Sequence, residues 1–143
     1  ETLDALRSEE RQQAIRNSAS AQHYKVALQT AMDNLKRLSD GGATIAMGTD
    51  SGPPARFQGY FEHMEMWMMQ EAGLSPDEII RTATSQAAQC TFLNDVGSLQ
   101  TGYWADFLVL GENPLNDINH TRSLEQVWIA GNPIIRDGFT TEQ

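Results

Sequence analysis

A single carboxylate, Asp50, stands between Gly-Thr and Ser-Gly in the segment GTDSG, residues 48–52. The segment follows the apolar run ATIAM, residues 43–47, which is short, partly β-branched and free of charge. These properties predict a strand that is buried on both faces. A carboxylate at the C-terminal end of a parallel strand lies where α/β folds place ligand-binding and catalytic groups. The position of Asp50 therefore indicates a role in ligand binding or catalysis.

A structural role explains the same pattern. Asp50 could cap a turn or the next helix, with Ser51-Gly52 completing an Asx-type turn, and spacing alone favours this simpler interpretation. Arg56, Phe57 and Tyr60 follow the same loop. These side chains could line a substrate pocket in which Arg56 binds a carboxylate, although exposure to solvent explains the arginine equally well.

Helical sequence precedes this loop. Residues 2–40 are rich in Ala, Leu, Gln, Arg and Glu, and they predict two helices with a break near residues 17–20. Gly41-Gly42 ends the second helix. The order of helix, tight glycine turn and buried strand is half of a βαβ unit.

Two further helices are predicted after the loop. The first, from about residue 59 to 72, carries a wide surface of methionine and aromatic side chains, which predicts burial between layers. Ser75 is placed to cap the second helix and Glu78 to complete a capping box. This second helix is expected to run to about Phe92 and to bury Cys90 as a small, unreactive side chain.

The character of the sequence changes near Asn94. Short β-rich runs follow at residues 106–110 and 126–130, with glycines between them. The segment IAGNPII, residues 129–135, predicts a hairpin with Gly131-Asn132 at its tip.

The composition narrows the class of function. The chain has 143 residues, 19 acidic against 10 basic, and a formal net charge of −9. An acidic surface repels phosphate, so small molecules or proteins are the expected partners, and nucleic acid and membranes are not. The sequence has no apolar run long enough to span a bilayer, so a soluble, cytoplasmic location is expected. The chain begins at Glu1 in helical sequence, which suggests that it was cut from something longer and that a signal sequence cannot be assessed.

Four segments, in this order and at these separations, resemble the C-terminal part of the amidohydrolase superfamily, especially its imidazolonepropionase-like and Xaa-Pro-dipeptidase-like members. The segments are GGATIAMGTDSG, HMEMWMMQEAGLSPDEIIRTATSQAAQ, VGSLQTGYWADFLVLGENPLNDI and VWIAGNPI. The resemblance covers roughly residues 25–136. It implies a (β/α)8 barrel with a small β-sandwich made from both chain ends, and one or two divalent metals, usually zinc, at the C-terminal mouth of the barrel. It also implies that ATIAM is the eighth barrel strand, and that Asp50 binds metal and takes the proton of the metal-bound water.

The sequence departs from that pattern in its metal ligands. The His-x-His pair of the first strand, the bridging residue and the two further strand histidines have no counterpart. His23, at the start of a polar helix, and His120, in a polar loop, are most simply solvated. His63 lies between Glu62 and Glu65 and could face the barrel mouth, but EHME is not the HExxH zinc motif, so a substrate-side role is favoured over a ligand role. Asp106 matches a structural aspartate of the family.

The sequence therefore predicts an α/β fold that is the C-terminal part of a metal-dependent (β/α)8 hydrolase barrel, its last strand and flanking helices, with part of a small β-sandwich. Residues 1–93 are assigned to the barrel and residues 94–143 to the sandwich. A complete barrel needs ~250 residues, so the chain is interpreted as a fragment that is inactive alone. The expected function is hydrolysis of a C–N bond in an amide or dipeptide-like substrate. Zinc or another divalent metal is expected in the complete enzyme, whereas this fragment alone need not bind one. A homo-oligomer or a complementing chain is expected. The alternative is a non-catalytic α/β binding or assembly module.

Overall fold

A computed structural model describes residues 8–52 and 57–135. Within these residues, five helices come first and a small sheet follows: α1 Glu9–Asn17, α2 Ala19–Asp40, α3 Tyr60–Glu71, α4 Pro76–Ala83, α5 Ser85–Cys90, β1 Phe107–Leu110, a 3-10 helix Ile118–Arg122, β2 Leu124–Ile129 and β3 Asn132–Pro133. The fold is α/β with a three-stranded antiparallel sheet in the order β1-β2-β3. Within the described ranges, no helix is long and apolar enough to cross a membrane.

The predicted break between the first two helices is confirmed. Ser18 separates α1 from α2, and its side chain accepts a hydrogen bond from the backbone N–H of Ala21 at 3.1 Å. This bond satisfies a donor that the first turn of a helix leaves without an intrahelical partner. The end of α2 at Gly41-Gly42 also agrees with the prediction, since Gly42 has a φ of 76°.

Residues 43–47 do not form the predicted strand. The segment is extended, and the backbone N–H of Met47 donates to the carbonyl oxygen of Thr82 at 3.0 Å. Ile45 and Met47 pack against the core, while Ala46 between them is exposed. A strand that is buried on both faces needs neighbouring strands and a layer on each side. The described chain provides packing on one side, so the prediction of two-sided burial is wrong for this structure.

The core lies where α3, α4 and the 3-10 helix meet. Its buried residues are Met66, Met69, Leu74, Ile79 and Ile118. Only one face of α3 is buried, so the prediction that this helix is covered between layers is wrong here. The opposite face of α3 keeps Trp67 44% exposed.

The capping box of α4 is confirmed. Ser75 Oγ accepts from the backbone N–H of Glu78 at 3.3 Å, and the Glu78 carboxylate accepts from the Ser75 N–H at 2.7 Å. The single helix predicted to reach Phe92 is wrong, because Thr84 leaves helical geometry at φ −128° and ψ −93° and divides α4 from α5. Cys90 is exposed, contrary to prediction, because it ends the short helix α5.

The sheet confirms both predicted β-rich runs but moves the hairpin tip by one residue. Ala130 and Gly131 form the turn, with φ values of 52° and 75°, and Asn132 already pairs with Ile129. Two positive φ values are the geometry of a type I′ turn. Asp106 fixes this turn, since its Oδ1 accepts from the Ala130 N–H at 2.7 Å, in agreement with the structural role implied for it.

Candidate functional site

Asp50 lies at the end of the extended segment, in the loop that leads to α3. Its side chain is exposed and its φ is 51°, in the left-handed region. Few residues other than glycine adopt this conformation, although aspartate tolerates it better than most. Gly52, with a φ of 127°, adopts a conformation that side chains rarely allow. The backbone at Asp50 and Gly52 therefore adopts an unusual conformation.

Hydrogen bonds join this loop to the first turn of α3. Thr49 Oγ1 lies 2.6 Å from Ser51 Oγ and accepts from the Ser51 backbone N–H at 3.2 Å. The Thr49 hydroxyl also donates to Glu62 Oε1 at 3.1 Å. Glu62 Oε2 accepts from the Gly59 N–H at 2.5 Å. Asp50 is thus flanked by two hydroxyl side chains that belong to one network with Glu62.

The environment of Glu62 favours its ionised form. Its own backbone N–H, the Ser51 hydroxyl, the Gly59 N–H and the Thr49 hydroxyl lower the pKa of Glu62, while burial opposes them. An ionised carboxylate accepts hydrogen bonds with both oxygens. Glu62 can therefore hold the loop and the helix start simultaneously.

Thr49 and Glu62 were not predicted from the sequence to be part of this site. Glu62 occupies the third position of α3, where an acidic side chain commonly reaches back to the N-cap. Its position three residues after Gly59 could have predicted the capping bond of Glu62 to the Gly59 N–H. Its bond to Thr49 spans 13 residues and leaves no local signal in the sequence.

His63 lies in the first turn of α3 and contacts the 3-10 helix. Its Nδ1 is 2.9 Å from Thr121 Oγ1, whose hydroxyl donates to the carbonyl oxygen of Ile118 at 2.8 Å. Because that hydroxyl proton is used, Nδ1–H donates to Thr121, which leaves Nε2 as the basic nitrogen. Burial and the positive charge of Arg122 lower the pKa of His63, and Glu62 opposes them. His63 is therefore neutral at neutral pH.

Protonation of His63 is expected to destabilise the fold. The folded pKa lies below the unfolded value of 6.5, so the unfolded chain binds the proton more readily. The contribution of His63 to the free energy of unfolding is fully present above pH 6.5 and is lost as the pH falls through the folded pKa. Urea unfolding between about pH 5 and 8 should show this loss in the wild type and a smaller one in His63→Gln.

The titration of Glu65 changes the free energy of unfolding with pH in the opposite direction to that of His63. Burial raises its pKa above 4.5, so its contribution is present below that value and is lost as the pH rises. The wild type and His63→Gln both contain Glu65, so its contribution cancels when their free energies of unfolding are subtracted. Equal pH dependence in the wild type and His63→Gln would contradict the prediction.

Tyr60, another predicted site residue, lies close to His63 in the chain. Tyr60 begins α3, is 60% exposed and meets Phe61 edge-on with ring centroids 5.5 Å apart. Arg56 lies outside the described residues. Tyr60 and His63 thus share the first turn of α3, directly after the loop that carries Asp50.

Two histidines were predicted to be solvated. His23 is exposed on α2, as predicted. His120 is half-buried, because its Nδ1 donates to the carbonyl oxygen of Asn113 at 2.9 Å and its Nε2 lies 3.5 Å from the Glu112 carboxylate. The predicted solvation of His120 is wrong, because the chain folds back onto it.

A complete metal site is not found in the part of the chain that the structure describes. Among residues 8–52 and 57–135, no three histidine, cysteine, aspartate or glutamate side chains group closely enough to hold a metal ion. Zinc sites use three or four protein ligands. These residues therefore do not fit a complete zinc site, and Asp50 can supply one ligand of such a site.

The match to a family model is extensive. Residues 6–134 match the amidohydrolase family. The chain belongs to this family. The match covers nearly all of the described helices and strands, so the resemblance inferred from the four sequence segments is confirmed. Members of this superfamily are generally metal-dependent.

Individual amidohydrolase relatives are similar to this chain at moderate identity. Imidazolonepropionase from Deinococcus deserti is 33% identical over 99 residues, which cover 67% of this chain and 25% of that protein. Ochratoxinase from Aspergillus niger is 34% identical over 97 residues, which cover 63% of this chain and 19% of that protein. The chain therefore spans a quarter or less of the length of these relatives.

Solved structures agree with this assignment. Phenylurea hydrolase B superposes with a TM-score of 0.70 at 27% identity, covering 90% of this chain and 32% of that chain. A Xaa-Pro dipeptidase with methionine bound in its active site gives a TM-score of 0.65 at 28% identity, covering 72% and 25% respectively.

Proposed function

We propose that this chain forms the C-terminal part of a metal-dependent amidohydrolase that hydrolyses a C–N bond in an amide or dipeptide-like substrate. In this proposal, residues 1–93 belong to a (β/α)8 barrel and residues 94–143 to a composite β-sandwich. The family match over residues 6–134 is the observation that carries the proposal. The names of the relatives, which include an imidazolonepropionase and a Xaa-Pro dipeptidase, support a small substrate of this class.

Asp50 is the proposed catalytic residue and metal ligand. Its exposed carboxylate follows the extended segment that would be the last barrel strand, and its left-handed backbone is typical of strained functional positions. A divalent metal such as zinc, when bound, makes water acidic enough to lose a proton near neutral pH. Asp50 would accept that proton through a carboxylate oxygen. The remaining ligands would come from outside the described residues.

The first turn of α3 is the proposed substrate side of the site. Tyr60 and His63 lie there, and Tyr60 offers an exposed aromatic surface. His63 offers Nε2 as a hydrogen-bond acceptor, because Nδ1 is used by Thr121. Arg56 is proposed to bind a substrate carboxylate through its guanidinium group.

We propose that the 143-residue chain by itself associates, because its exposed apolar surface would pack against the rest of the proposed barrel. Tyr24 and Val26 on α2 are 71% and 70% exposed, and Leu108 of the sheet is 58% exposed. Burying such apolar surfaces against another surface is favourable in water. A second copy or a complementing chain is the proposed cover, and light scattering that finds the 143-residue chain monomeric at high concentration would contradict this proposal.

Activity and metal content of the complete polypeptide that carries this sequence test the proposed function. Purified protein should release amine from at least one member of a panel of N-acyl amino acids and Xaa-Pro dipeptides. A chelator should abolish this release and added zinc should restore it. A second candidate, a non-catalytic binding or assembly module, is favoured by the lack of a metal-binding group among the described residues. Ligand binding without metal and without turnover would support that candidate and contradict the first.

A further inference from the structure

The Glu62 carboxylate links two segments that meet at the candidate site. One oxygen accepts from the Gly59 N–H at 2.5 Å, which ties Glu62 to the start of its own helix. The other oxygen accepts from the Thr49 hydroxyl at 3.1 Å, which ties it to the loop before the helix. Ser51 joins the network through its hydroxyl and its backbone N–H, both of which contact Thr49 Oγ1.

The loop needs such a link because its backbone is in an unfavourable conformation. A left-handed residue other than glycine costs about 1–2 kcal/mol and persists only where its surroundings hold it. Asp50 has this conformation, and its neighbours Thr49 and Ser51 are the residues that join the Glu62 network. The network therefore restrains the backbone immediately before and after Asp50, which sets the direction of the Asp50 carboxylate.

We propose that Glu62 is a positioning residue for Asp50. It acts through Thr49 and Ser51, and it transmits the placement of α3 to the loop. This inference rests on the proposed function, in which the Asp50 carboxylate must meet the reacting water at a defined position. Small misplacements of a catalytic group reduce turnover strongly, by about a hundredfold for 1 Å.

Helix α4 provides a matched control for the helix-capping part of this role. Glu78 occupies the same third position, and its carboxylate accepts from the Ser75 N–H at 2.7 Å. It also accepts from the Ser39 hydroxyl at 3.2 Å, and its pKa is lowered mainly by the Ser75 backbone bond. Glu62 and Glu78 thus share the capping interaction, whereas only the Glu62 network reaches the residues beside Asp50.

The experiment compares Glu62→Ala and Glu62→Gln with Glu78→Ala and Glu78→Gln in the complete polypeptide. The first readout is the hydrogen-exchange rate of the Ser51 backbone N–H, which donates a hydrogen bond to Thr49 Oγ1. Exchange should accelerate by about tenfold or more in Glu62→Ala and stay near the wild-type rate in Glu78→Ala. Equal exchange in the two alanine variants would overturn the inference, whether or not any substrate is known.

The second readout is the kinetics of an Xaa-Pro dipeptide or N-acyl amino acid that the wild type hydrolyses. Glu62→Ala should lower kcat by about ten- to a hundredfold with KM nearly unchanged, because the Asp50 carboxylate, and not the substrate, is misplaced. Glu62→Gln keeps an acceptor oxygen for the Thr49 hydroxyl, so it should recover part of kcat. A loss of kcat no larger than that in Glu78→Ala would overturn the positioning role.

The two proposals fail in different ways. If the wild-type protein has neither bound metal nor turnover, the proposed function is contradicted. The hydrogen-exchange rate of the Ser51 N–H then tests by itself whether Glu62 holds the loop. If the wild type is active and Glu62→Ala has normal turnover, the positioning role of Glu62 is contradicted and the proposed function is not.

Discussion

Asp50→Asn is expected to reduce the proposed hydrolytic turnover of the complete polypeptide by about a hundred- to ten-thousandfold, which is the usual size of a general-base contribution. Asparagine preserves the shape of the side chain and one oxygen that can bind metal. It removes the negative charge and, in the proposed mechanism, the site that would accept the proton. Substrate binding should change less than kcat, because the lost interaction acts mainly in the transition state. Steady-state kinetics and metal analysis of the purified variant measure both effects.

The turn-cap interpretation of Asp50 predicts a different result. Asparagine tolerates the left-handed conformation and forms Asx turns as aspartate does. If Asp50 only shapes the loop, Asp50→Asn should leave turnover, metal content and the free energy of unfolding nearly unchanged. Near-full turnover with normal metal content would therefore refute the catalytic role.

Gly97→Ala is expected to lower the free energy of unfolding by about 2–4 kcal/mol. Gly97 has a φ of +82°, and a Cβ there would lie 2.8 Å from the Thr84 carbonyl oxygen and 2.9 Å from the Ala88 Cβ. These neighbours are backbone and a methyl group, so neither can swing away. The added methyl group would separate the loop before the sheet from the junction of α4 and α5. Urea unfolding of the complete polypeptide measures the loss.

Gly102→Ala is the matched control for this substitution. Gly102 has a φ of +92°, but a Cβ there would meet no heavy atom within 4 Å. Its cost should be limited to the backbone strain, about 1–2 kcal/mol. Equal losses in the two variants would show that the close packing at Gly97 contributes little.

Features that depend on neighbouring residues were predictable from the sequence. Ser18 and Ser75 each cap a helix through a bond to a backbone N–H three residues ahead, so their signals lie within one helical turn. The family could also be recognised from sequence, because four segments kept the right order and separation across most of the chain. Asp50 could also be selected from the sequence as a candidate site residue, because its loop directly follows an apolar run.

Features that depend on distant residues were decided by the tertiary structure. The segment at 43–47 has the composition of a buried strand, but a strand exists only when another strand accepts its hydrogen bonds. Thr84 breaks a helix that local propensity would continue, at the place where Gly97 packs against it. The bond between His63 and Thr121 joins residues 58 positions apart. The Glu62 network around Asp50 likewise arises only when the loop lies beside α3, because hydrogen bonds between separate segments require the fold that brings them together.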